Sequence, residues 1–116
     1  MGKSYKSLLV WQKAHELVCQ IYVATKSFPK DEMYGITSQL RRAAVSVATN
    51  IVEGSARQSK NELRQFINIS LGSLAETEYL LELCLNLKYF DENEYNRMES
   101  IRAELGAMLW QFHKNL

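Results

Sequence analysis

The sequence predicts an all-α protein, an antiparallel up-down-up-down four-helix bundle. Three observations carry that expectation. Four long segments repeat apolar residues at three- and four-residue steps, the period of one helical face. The connections between them are short, about three to five residues, which forces neighbouring helices to run antiparallel. The 116 residues include one proline and five glycines, too few for an all-β domain, which needs a turn every ten residues or so.

The first helix is expected from Leu8 to Ser27. Val10, Ala14, Leu17, Val18, Ile21, Thr25 and Phe28 share its inner face. It stops at Phe28-Pro29, because proline disfavours helix in the residue before it. The second is expected from Asp31 to Glu53, with Ile36, Leu40, Ala43, Val47 and Ile51 as its stripe. Gly54 follows as a stop. Ala43, Ala44, Ser46, Ala48 and Thr49 are small, so a neighbouring helix can come close. A polar stripe of Gln39, Arg42, Ser46, Asn50 and Glu53 runs beside them. The third helix, about 60 to 87, opens on Ser59-Lys60-Asn61-Glu62. This is a capping-box pattern, in which the serine oxygen takes an orphan N–H and Glu62 reaches back. The fourth, about 92 to 114, opens on the acidic run Asp91-Glu92-Asn93-Glu94, which suits the helix dipole. Tyr95, Met98, Ile101, Leu105, Met108, Leu109 and Phe112 form its stripe. The whole is expected to be a single domain.

From Tyr79 to Leu87 the third helix carries more apolar surface than one stripe. Tyr79, Leu80, Leu81, Leu83, Cys84, Leu85 and Leu87 spread over about 240° of the wheel, where a bundle helix needs little more than about 100°. Either this helix is the most central of the four, or a second subunit covers part of it. The expectation is a homo-oligomer, with Arg42, Asn50, Tyr79, Leu80, Leu83 and Leu87 as candidate interface residues. Cys19 and Cys84 lie far apart among apolar neighbours, which reads as two reduced, buried thiols and no disulfide or metal spacing. No apolar run approaches a membrane span or a signal peptide, so the expected location is cytoplasmic.

The net charge is only +1, but the charges are sorted. Residues 1–64 hold 10 Lys/Arg against 5 Asp/Glu, and residues 65–116 hold 4 against 8. An up-down topology sharpens the split. Lys3, Lys6, Lys13, Arg57, Lys60, Arg64 and Lys114 gather at one end, with Glu53 and Glu62 among them. Acidic side chains dominate the other. A basic pole suits phosphate-backbone contact, and Lys3, Lys6, Lys13, Arg57, Lys60 and Arg64 are the candidate nucleic-acid contacts. An ordinary solvated surface is the competing account, and the small net charge favours it: nucleic-acid binders are generally more basic.

No catalytic, metal or cofactor site is expected. A di-iron bundle would need Glu-x-x-His pairs, yet Gln12 and Trp110 stand three residues before His15 and His113. There is no glycine-rich phosphate loop, zinc pattern, nucleophile elbow or Cys/His dyad. His15 reads as a surface residue. Glu78 and Glu82 read as hydrogen-bonding groups at an end or an interface. Trp11 and Trp110 are placed to meet at the basic end.

Several motifs then follow one pattern in order. They are Leu9-Val10-Trp11-Gln12-Lys13-Ala14, Phe28-Pro29, Tyr34-Gly35, Ser38 to Ser46, Asn50-Ile51-Val52-Glu53-Gly54 and Gly72-Ser73-Leu74-Ala75-Glu76. Over about residues 5 to 90 the chain resembles the bacterial four-helix bundle family of rRNA intervening-sequence proteins, once labelled ribosomal. The resemblance implies a cytosolic bundle assembling as a ring-like homopentamer, with no catalytic residue to carry over. A related and markedly basic branch, the accessory variability determinants of diversity-generating retroelements, binds nucleic acid and a reverse transcriptase. Gly54 and Gly72 match motif positions that look structural, a helix stop and close helix packing. Ala48 stands where members often carry proline.

Two functions fit these readings. One is a non-enzymatic oligomeric module contacting RNA or DNA through its basic ends, where several copies multiply a weak patch. The alternative is a protein-interaction scaffold that binds no nucleic acid.

Overall fold

Four amphipathic stripes turn inward together in a computed structural model that describes residues 4–116. Helix α1 spans Leu9–Thr25, α2 Ile36–Ser55, α3 Lys60–Asn86 and α4 Glu92–Lys114. Single turns of 3-10 helix, Tyr5–Ser7 and Lys30–Glu32, precede α1 and α2. Each helix packs on its two neighbours around a ring, α1 on α2, α2 on α3, α3 on α4 and α4 on α1. Among the described residues the backbones of the diagonal pairs do not approach within 8 Å at Cα, and there is no strand. The result is an all-α four-helix bundle of 44 × 24 × 20 Å, its long axis set by α3, whose 27 residues span about 40 Å. No helix among the described residues is long and apolar enough to cross a membrane.

The expected stripes form the core. Val10, Ala14, Leu17, Ile21, Thr25 and Phe28 of the first segment are buried, as are Ile36, Leu40, Ala43, Val47 and Ile51 of α2. In α4, Met98, Ile101, Leu105 and Leu109 are buried, while Tyr95, Met108 and Phe112 are half-buried against them. The N-caps act as their residue types require. Ser59 Oγ accepts from the Glu62 N–H (3.1 Å) and its hydroxyl donates to Glu62 Oε1 (3.2 Å). Asp91 Oδ1 accepts from the Glu94 N–H (2.8 Å).

Boundaries and roles differ in instructive places. α2 begins at Ile36, not Asp31, because the chain makes a single 3-10 turn at Lys30–Glu32 and then breaks from helical geometry at Gly35 (φ −111°, ψ −118°); Glu32 serves the helix from outside it. Its Oε2 accepts from the Tyr89 hydroxyl (2.7 Å) and its Oε1 from the Ile36 N–H (3.4 Å). Gly54 is not a stop, since α2 runs through it to Ser55. A Cβ there would sit 2.9 Å from both Leu63 Cδ1 and Phe66 Cβ, so glycine permits the close approach of α2 and α3. Gly72 is exposed, with open space where a Cβ would be, so it does not serve close packing against another helix of the bundle. α2 is a continuous helix through Ala48. At the end of α3 the Lys88 N–H donates to the Leu85 carbonyl and the Tyr89 N–H to the Cys84 carbonyl. This closure places Lys88 in the left-handed region at φ 63°, where glycine is the usual residue.

The apolar surplus of α3 is largely internal. Leu80, Leu81 and Cys84 are buried, and Leu83 and Leu85 are half-buried. Only Tyr79, at 60%, and Leu87, at 45%, are exposed. Leu80, at 2% exposure, belongs to the core of the bundle itself, which leaves it little surface to offer a second copy. The expectation of two buried thiols holds for Cys84 alone. Cys19 is exposed, with its Sγ 3.6 Å from His15 Nε2.

Replacing Gly54 by alanine forces the Phe66 backbone region away. Overpacking costs about 1–3 kcal/mol and outweighs the gain of up to about 1 kcal/mol in helix propensity. We expect G54A to be less stable by about 1–2 kcal/mol in urea denaturation. Alkali acts at the opposite end. Burial, reinforced by the Glu32 charge, pushes the Cys84 thiol from 9.0 up to about 12. The hydrogen bond to Glu32, with burial, pushes Tyr89 from 10.0 up to about 12. Both groups are raised in the folded state, so their contribution is complete below pH 9 and is lost as pH rises to about 12. Urea midpoints measured from pH 8 upward are expected to fall across that window, and to fall less in Y89F.

Candidate nucleic-acid interface

The alternation of helix direction brings four elements to one pole. These are the turn before α1, the α2–α3 connection, the start of α3 and the end of α4. Lys6 lies exposed on the first of them, and its carbonyl accepts from Gln12 Nε2 (2.9 Å). Arg57 is exposed in the α2–α3 connection, with its guanidinium over the Phe66 ring, 4.8 Å from the centroid. A cation over a ring face is attracted by the ring's quadrupole and keeps its charge. Lys60 is exposed on the first turn of α3. Arg64, one turn on, donates from Nη1 to Asn61 Oδ1 (2.9 Å). Lys3 lies outside the described residues.

Lys13 is different. Its Nζ is 3.1 Å from Glu16 Oε1 and 3.2 Å from Glu104 Oε1. Hydrogen bonds to Glu16 and then Glu104 raise its pKa. Two carboxylates more than neutralise it, so Lys13 bridges α1 to α4 and adds no free positive charge to the pole. Among the described residues, ion pairs engage Lys13 and Arg102, and no carboxylate lies within 4 Å of Arg57, Lys60 or Arg64.

The interface candidates are more dispersed. Arg42 is exposed on α2, and Asn50 Nδ2 donates to the Ser46 carbonyl (2.8 Å) and Ser46 Oγ (3.1 Å). Ser46 Oγ is in turn 2.8 Å from Ser73 Oγ. The polar stripe of α2 is thus partly spent within the bundle, against α3. Tyr79 and Leu87 remain exposed, half-buried Leu83 lies between them in sequence, and Leu80 is interior.

Several features escaped the sequence pattern. Arg102 meets Glu99 through two hydrogen bonds (2.8 and 2.6 Å) and Glu78 at 3.5 Å, tying α4 to α3. The bond to Glu99 holds its guanidinium protonated. Trp11 and Trp110 do not meet. Trp11 stacks on His15 and Trp110 on His113. The i, i+4 spacing of His15 and Cys19 is the signal that places them together. Among the described residues no three His, Cys, Asp or Glu side chains cluster as a metal site. The same pole also holds an apolar cavity of about 330 Å³, lined by Leu8, Ile51, Leu63, Ile67 and Phe112 with Ser7 and Ser55. No single helix's periodicity reveals it, because four elements each contribute a wall.

The 23S rRNA-intervening sequence protein family matches over residues 6–111. The chain belongs to this family. The match includes α4 through Gln111, which the motifs alone left as an unspecific helix. A crystal structure from the S23 ribosomal protein family of Bacteroides thetaiotaomicron, a protein with unknown function, superposes with a TM-score of 0.83. The two are 25% identical, and the match covers 91% of this chain and 99% of that one. No curated protein matches the sequence. In this family member, then, bundle architecture and family agree, and Arg57, Lys60 and Arg64 mark its unneutralised pole.

Proposed function

We propose that this protein is a non-enzymatic oligomeric bundle in the cytoplasm that contacts the RNA or DNA backbone through its basic pole. The observation that carries the reading is the contrast between cations at that pole. Lys13 is consumed by two carboxylates, whereas Arg57, Lys60 and Arg64 are held within two turns of chain without one. Lys60 and Arg64 also sit at the positive end of the α3 dipole, which costs a few tenths of a kcal/mol that an approaching phosphate would return as favourable interaction. Lys6 supports them and Lys13 does not.

One such patch is weak. A homo-oligomer, a pentamer by the family resemblance, presents several patches and gains avidity without new contacts. Arg42, Asn50, Tyr79, Leu83 and Leu87 are the surface proposed to be shared between copies. Tyr79 and Leu87 are the apolar groups of α3 that one subunit leaves open. The same exposed groups also favour the second reading, a scaffold that docks another protein. A single stoichiometric protein recovered in a pull-down after nuclease treatment would support that reading instead.

Fluorescence anisotropy with labelled RNA and DNA is expected to show binding at about 50 mM salt that weakens steeply by about 200 mM. The double variant R57E/R64E is expected to lose at least about tenfold in affinity. Absence of binding at low salt, or binding indifferent to that variant, refutes the reading. Light scattering at micromolar concentration is expected to return several times 13.4 kDa. A clean monomer removes the avidity argument.

A further inference from the structure

Resting on the nucleic-acid reading, we propose that the apolar cavity at the basic pole receives an unpaired base, so that the preferred ligand is single-stranded nucleic acid. The cavity, about 330 Å³, lies at the low end of the ~300–1,000 Å³ of pockets that take small ligands. Its walls are aliphatic apart from the Phe112 ring and two serines. Both hydroxyls are already engaged, Ser7 with the Ser4 carbonyl (2.9 Å) and Ser55 with the Val52 carbonyl (2.8 Å). The pocket therefore favours the flat face of a base by burial and stacking and has few free groups to read its hydrogen-bonding edge.

Charge decides which apolar body enters. Lys60, Leu63, Arg64 and Ile67 are spaced three, four and seven residues apart, so they share one face of α3. Two unpaired cations thus alternate with two wall residues of the cavity. A nucleotide matches that pattern, with an anion on the rim and an aromatic ring in the hole. A base inside a duplex does not, because its faces are stacked and its edge is paired. Duplexes reach the cations alone.

The test compares one oligonucleotide as single strand, as duplex, and as single strand with scattered abasic sites. Anisotropy is the readout at fixed low salt, and 2-aminopurine fluorescence reports on the base. The single strand is expected to bind at least about fivefold tighter than the duplex, with 2-aminopurine quenched on binding. Abasic sites should weaken the wild type by at least about fivefold and leave F112A unchanged, since that variant has already lost the stacking ring. L63Q, with folding of both variants checked by thermal melts, is expected to behave as F112A does. Equal, salt-sensitive binding of all three ligands overturns the pocket while leaving the backbone-contact function standing. No binding of any of them overturns both. Dodecanoate bound at micromolar concentration, with abasic and intact strands bound alike, overturns the proposal in favour of an aliphatic anion.

Discussion

The close approach of α2 and α3 is the constraint on which the rest of the bundle depends. Small side chains make it possible. Ala43, Ala44 and Ala48 are buried along α2, Gly54 meets Leu63 and Phe66 directly, and the buried Ser70 hydroxyl donates to the Val47 carbonyl (2.8 Å). Close-packed interiors respond to a change of one methylene, so the side chains of this seam fix the register between the two helices. That register places Phe66 beneath Arg57. It also brings the first turn of α3 to the pole where α1 begins and α4 ends. The charge pattern of the pole is therefore a consequence of backbone proximity at one glycine.

The ion pairs play a different part. Exposed pairs contribute about 0–1 kcal/mol each, so Lys13 with Glu16 and Glu104 does little for stability. Its effect is on the field, because it removes a positive charge from the α1–α4 side of the pole. Among the described residues, the unpaired cations that remain at the pole are Lys6 and Lys114 on the α1 and α4 sides and Arg57, Lys60 and Arg64 around the α2–α3 connection, where Glu53 and Glu62 also lie. Arg102 with Glu78 and Glu99 does the corresponding work between α3 and α4, where side-chain burial of the guanidinium makes pairing a requirement.

Much of the fold was legible in the sequence, because helical stripes are local and the bundle is built from them. Val10 to Phe28, Ile36 to Ile51 and Met98 to Leu109 turn the expected faces inward. What was not legible depended on a partner far away in the chain. Asp31-Glu32 reads as a helix start, but the chain breaks at Gly35 before α2 opens, and Glu32 instead accepts from Tyr89, 57 residues on. Gly54 reads as a stop until Phe66 is seen against it. Leu80 reads as surplus surface until the other helices close over it. In the candidate site, sequence located Arg57, Lys60 and Arg64. It could not separate them from Lys13, because the carboxylate that distinguishes Lys13 includes Glu104, on another helix.

Glu32 carries one more implication. Its two carboxylate oxygens hold different parts of the chain, the Ile36 N–H that opens α2 and the Tyr89 hydroxyl that follows α3. Phe28 lies against the same Tyr89 ring at 5.3 Å and against Phe90 at 5.7 Å. A single acid thus rivets both hairpin bends at the far tip, and neither bend can peel away without releasing the other. At the cationic tip the arrangement is different: α2 and α3 are joined by their own connection, while α1 begins and α4 ends as separate stretches of chain beside it.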